Sequence, residues 1–122
     1  MTGDPFADRV AKVRQRFVST LEAKIDGTCA SLPHLEGNAA AAGEAVAEAY
    51  RCVHGIVGIG RTVGFPAIGN AAHDVEDVLR LSYQAGRGLT ADEISHLTKS
   101  LQALREIAAR ELQSSQSQSP SQ

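Results

Sequence analysis

The residue in this sequence best suited to chemistry is His54, set in the run Tyr50-Arg51-Cys52-Val53-His54-Gly55-Ile56-Val57-Gly58-Ile59-Gly60-Arg61. Neutral imidazole is a nucleophile near pH 7 and needs no cofactor to act as one. If the run is helical, His54 follows the apolar Val53 by about 100° of rotation, so its ring leans outward. The positions one turn away on the same face are then Tyr50 and Gly58. Gly58 puts no side chain beside the imidazole and leaves room for another molecule's active site. Glycine inside a helix costs about 1 kcal/mol relative to alanine, yet Gly55, Gly58 and Gly60 stand within about a turn and a half. Such a stretch is costly unless close approach is its purpose. These residues describe a site built from one nucleophile and a permissive surface.

The remaining chemistry-bearing residues give weaker signals. His34 falls in a loop, His73 beside the apolar face of a helix and His96 on a polar face, and no His-x-x-x-His pair points to a metal. Cys29 and Cys52 have neither a metal-ligand nor a redox spacing. A net charge of −2 gives no global pull toward nucleic acid or anionic membrane. The basic residues Arg9, Lys12, Arg14 and Arg16 are diluted by Asp4, Asp8 and Glu22, and they read as a solvated helix face. Asp4 and Asp8 stand where a signal peptide needs an apolar core, and no apolar stretch approaches the ~20 residues that span a bilayer. The expectation is a reduced, cytoplasmic protein with no cofactor, no metal, no nucleic-acid partner and no membrane span.

The elements that must position His54 are helical. At 122 residues the chain suits one domain with a single modest core. Asp4-Pro5 reads as a cap and first-turn proline, and Phe6, Val10, Val13, Phe17, Leu21 and Ile25 then form an apolar stripe at steps of three and four. Gly27 weakens the end of this helix, Pro33 stops it, and 33–37 reads as a loop. Asn38 is placed to cap the second helix, whose alanine run 39–42 has the highest helix propensity. Val46, Ala49, Val53, Ile56 and Gly60 lie on one of its faces. Gly64 and Pro66 break the chain, and a third helix starts at about Pro66 with Ile68, Ala71, Ala72, Val75, Val78, Leu79 and Ser82 inward. After the turn 85–88, Thr90 with Glu93 forms a capping box for a fourth helix that turns Ile94, Leu97, Leu101, Leu104, Ala108 and Leu112 inward. Short connections favour antiparallel neighbours. The expected fold is all-α, an antiparallel up-down four-helix bundle over 4–112. The Ser/Gln-rich stretch 113–122 has no sizeable apolar side chain and is expected to be disordered.

The segment 49–79, AYRCVHGIVGIGRTVGFPAIGNAAHDVEDVL, resembles the histidine phosphotransfer (HPt) domains of two-component phosphorelays. Those domains carry glycines at +4 and +10 from a histidine, an aliphatic residue at +14 and an acidic residue at +22 after an aliphatic one. Here these are His54, Gly58, Gly64, Ile68 and Val75-Glu76, and Gly64-Phe65-Pro66 is similar to a turn of many bacterial members. The resemblance covers about residues 4–112. It implies a phosphocarrier rather than an enzyme, with His54 as phosphoryl acceptor. It also implies receiver domains of response regulators and of a hybrid histidine kinase as partners, and Tyr50, Arg51, Val57, Gly58 and Arg61 as the surroundings of the phosphoryl group. Two positions depart from the pattern. Val57 stands where many members have lysine, and Ile59 where a small residue is usual. Arg61, two turns beyond His54, is the candidate to supply the missing charge.

Two rival readings remain. Gly58-Ile59-Gly60-Arg61-Thr62-Val63-Gly64, with Asp77 beyond, imitates a dinucleotide-binding loop, but that loop needs a strand before it, and the preceding segment reads as helix. The second rival keeps the HPt fold as an interaction module without phosphotransfer, and Val57 is its best support.

Overall fold

The computed structural model describes residues 5–117. It contains α1 (Pro5–Ala30), the single turn α2 (Leu32–Leu35), α3 (Ala40–Thr62), α4 (Pro66–Ala85) and α5 (Ala91–Ser117). The fold is all-α, and the four long helices form the expected bundle. Phe17, Leu21 and Ile25 of α1, Val53 and Ile56 of α3, Ile68, Val75 and Leu79 of α4, and Leu97, Leu101 and Leu104 of α5 meet in one core.

Several local expectations need correction. The apolar stripe of α1 is buried only from Phe17 onward, while Phe6 and Val13 are 66% and 46% exposed. Phe17 already meets Gly60 and Phe65 at the far end of α3, so the first turns of α1 run past that end. α1 passes through Gly27 without a break, and Pro33 sits in the first turn of α2 rather than in a loop. Asn38 does not cap α3. The cap position is Ala39, with no side-chain hydrogen bond. The connection is fastened by backbone instead, Gly37 N–H donating to Leu89 O at 3.1 Å and Leu89 N–H to Leu35 O at 2.7 Å. At the other end α5 stays helical through Ser117, five residues into the segment expected to be disordered. The rest of that segment, and Asp4, lie outside the described residues.

The α3–α4 turn depends on Gly64, whose φ of 99° is strained for any residue with a Cβ. Pro66 opens α4, and Glu111 of α5 accepts from the otherwise free Ile68 N–H at 2.8 Å, a cap supplied by another helix. The capping box of α5 forms as expected. Thr90 Oγ1 accepts from Glu93 N–H at 3.2 Å, and Glu93 Oε1 accepts from Thr90 N–H at 2.9 Å. Arg87 also pairs with Glu93 at 3.0 Å.

Arg87 first, and the Thr90 N–H second, lower the Glu93 carboxyl from 4.5 to about 2. A carboxyl depressed by folding stabilises the fold above its ordinary value, and that stability is lost as pH falls from about 4.5 to about 2. Glu93→Gln is therefore expected to cost about 1 kcal/mol at pH 7. The gap to wild type should narrow across that acid window. Denaturant titrations of both proteins at pH 7 and in the acid window check this.

Candidate functional site

The site lies along the seam between the antiparallel helices α3 and α4. Gly60 and Gly69 bring the two backbones together just beyond the turn. A Cβ on Gly60 would lie 3.5 Å from Gly69 N, and one on Gly69 would lie 3.3 Å from both Arg61 N and Val57 O and run into the Arg61 side chain. Gly60 thus serves helix packing, unlike the other glycines of its run. Added Cβ atoms at Gly55 and Gly58 would meet nothing within 4 Å. Neither is required by the bundle, and at Gly58 the open space lies one turn from His54 on its own face.

His54 projects from α3 with its side chain 68% exposed, whereas the Glu76 side chain on α4 is only 4% exposed. His54 Nδ1 and Glu76 Oε2 are 2.5 Å apart. A carboxylate can only accept, so this contact assigns the proton to Nδ1 and leaves the Nε2 lone pair free. The ring has a second support. Tyr50, one turn back, stacks on His54 at 6.0 Å between centroids and 12° between planes, and Tyr83 of α4 stacks on Tyr50 at 4.1 Å and 9°. Arg80 of α4 pairs with Asp77. Its pKa is raised, first by that bond and then by a hydrogen bond with Tyr50.

The other expected surroundings divide. Arg51 and Gly58 are exposed on the turns either side of His54. Val57 is buried, 7% exposed, and offers an apolar side chain at the seam. Arg61 does not reach back along α3; its Nη2 donates to Asn70 Oδ1 on α4 at 2.9 Å. His34 and His96 are exposed. Glu93 and His96 have Glu-x-x-His spacing, a pattern compatible with metal binding, but Glu93 is engaged by Arg87 and Thr90. His73 lies 3.5 Å from Asp77, one helical turn on, and with Asp74 these residues hold ligand-type atoms within 4.8 Å of one another.

Three residues of the site escaped sequence reasoning as participants: Glu76, Tyr83 and Arg80. Glu76 was visible only as an element of spacing. A hairpin turning at Gly64 places it opposite His54, since the two are roughly equidistant from the turn, and that was the available signal. Nothing in the pattern marked Tyr83 or Arg80.

An α-helical bundle in which an exposed imidazole has one ring nitrogen held and the other open is built like a phosphotransfer module. The chain belongs to the Hpt domain family, whose model matches residues 12–107. Members of that family are phosphocarriers of two-component signalling that interact with receiver domains. No curated protein and no solved structure matches the chain. Among the described residues no helix is long and apolar enough to cross a membrane.

Proposed function

We propose that this protein takes a phosphoryl group onto Nε2 of His54 and passes it between aspartates of receiver domains, those of response regulators and of a hybrid histidine kinase, in the cytoplasm. The observation that carries this reading is the exposed His54 ring held at Nδ1 by the buried Glu76. The Nε2 lone pair attacks the phosphorus of an aspartyl phosphate, the N–P bond forms, and the P–O bond breaks with its electron pair returning to the receiver's carboxylate. Positive charge developing on the ring is offset by Glu76 through the Nδ1–H bond, as a buried carboxylate does for a histidine base in hydrolases. The return step reverses these events. The rival reading, a binding module without transfer, draws support from the buried apolar Val57 and from Arg61 being held by Asn70.

Incubation with a phosphorylated receiver domain separates the two readings. A carrier gains acid-labile, base-stable phosphate, and a binding module forms a complex but gains none. Gly58→Leu sharpens the test. Leucine is a better helix former than glycine and its Cβ enters open space, so the bundle should be as stable as wild type or more so. The side chain nevertheless fills the approach to His54, and transfer from the receiver should fall at least tenfold. Transfer at the wild-type rate would contradict the close-approach role of Gly58.

A further inference from the structure

His54 is surrounded mostly by water, and its only side-chain hydrogen-bond partner among the described residues is Glu76. A single hydrogen bond fixes one edge of an imidazole and still allows the ring plane to swing about it. The plane matters, because the phosphorus must arrive in line with the Nε2 lone pair, and transfer depends steeply on such alignment. What opposes the swing is a column of three rings. His54, Tyr50 and Tyr83 are stacked in order, with 12° between the first pair of planes and 9° between the second. Tyr50 is half-buried against the core and comes from the same helix as His54. Tyr83 comes from α4, the helix that also supplies Glu76. It closes the column at 4.1 Å and remains 37% exposed. Without Tyr83 the Tyr50 ring loses the aromatic face that α4 lays against it. The hydrogen bond with Arg80 remains but does not fix the ring plane, so Tyr50 can follow the motion of His54 instead of resisting it.

We propose that Tyr83 is a positioning residue for phosphotransfer, acting through Tyr50 to hold the His54 ring in the plane that keeps Nδ1 on Glu76 and Nε2 outward. This rests on the reading of His54 as the phosphoryl acceptor. It assigns α4 two roles toward one ring, a hydrogen bond at its edge and a stack behind its face. The contribution is from the aromatic face and not the hydroxyl, so phenylalanine should serve as well as tyrosine, while alanine should not. An aromatic pair contributes modestly beyond the area it buries, so the expected loss is partial.

The test compares wild type, Tyr83→Ala and Tyr83→Phe as full chains, with phosphoramidate as a small donor that needs no docking surface. In that reaction the N–P bond forms at Nε2 and the donor's P–N bond breaks, its electron pair leaving on the already protonated donor nitrogen as ammonia, while Nδ1 keeps its proton. Tyr83→Ala should be phosphorylated about three- to tenfold more slowly, and Tyr83→Phe at the wild-type rate. The ¹⁵N resonances of the His54 ring provide a reading that loss of a merely structural residue would not move. Wild type and Tyr83→Phe should show protonation confined to Nδ1 in the neutral ring, and Tyr83→Ala a mixture of the two tautomers. Equal rates in all three proteins would overturn the proposal, as would a slowed alanine variant whose ring resonances match wild type. If wild type itself takes up no phosphate, the acceptor reading fails. The ring resonances then still decide whether Tyr83 holds His54, so the two failures are distinguishable.

Discussion

His54→Gln is expected to abolish phosphate uptake completely, from a receiver domain and from phosphoramidate alike, while the bundle stays folded. The loss is expected to be total because no other histidine shares the setting of His54. His73 lies beside Asp77, and His34 and His96 are exposed at sites without the seam, the held nitrogen or the open glycine. Glutamine is the informative replacement. Its amide N–H can still donate to Glu76, so the buried carboxylate keeps a partner and stability should stay within about 1 kcal/mol of wild type. His54→Ala removes the same nucleophile but leaves Glu76 unsatisfied, and it should be destabilised by about 1–3 kcal/mol. Phosphate uptake together with denaturant titration of both variants checks each half of the prediction. Retained phosphate on another histidine would contradict the first half, and equal stability of the two variants the second.

Glu76 carries the next largest effect. Glu76→Ala frees Nδ1, so the ring is no longer confined to the tautomer with an open Nε2. Losing the partner that orients a functional imidazole typically costs on the order of 10- to 100-fold, and a loss of that size is expected in the transfer rate. Glu76→Gln should fall between, because its amide oxygen still accepts from Nδ1–H but brings no charge to offset the phosphorylated ring. Stability should not follow activity. A buried carboxylate facing an exposed partner is a weak source of stability, and the glutamine variant should unfold within about 1 kcal/mol of wild type. A glutamine variant that transfers at the wild-type rate would mean that the charge is dispensable. An alanine variant that does so would remove Glu76 from the account.

The fold was largely legible because burial repeats at the helical period. Val46, Val53, Ile56, Ile68, Val75, Leu79, Leu97 and Leu101 are inward as the steps of three and four require, and the Thr90–Glu93 cap is a short-range pattern that formed as written. The failures occurred where a residue's fate depends on a distant one. Phe6 and Val13 continue the stripe of α1, but periodicity does not reveal that α3 ends before reaching them. Asn38 has the right chemistry for a cap, but the junction is held by Leu35, Gly37 and Leu89, a pairing between the end of α2 with its following loop and the loop before α5.

The site divided in the same way. His54 and Gly58 were readable from one helix, since their relation is set by the turn of that helix alone. Gly60 looked equivalent to Gly58, and only the approach of Gly69 distinguishes a packing glycine from an access glycine. Arg61 had the right charge on nearly the right side, but Asn70 on the neighbouring helix takes its guanidinium. Glu76 meets His54, and Tyr83 meets Tyr50, across the seam, and that register exists only once the hairpin has folded.

The proposed function stands on Nδ1 of His54 being held by Glu76, with Nε2 alone free to carry phosphate. The most direct measurement phosphorylates the full chain uniformly labelled with ¹⁵N, locates the modified residue by peptide mapping, and reads the phosphorylated nitrogen from ³¹P–¹⁵N coupling in the intact protein. A single phosphohistidine is expected, at position 54, with phosphorus on Nε2 and the proton still on Nδ1. Phosphate on Nδ1 of His54, on another histidine, or on none would contradict it.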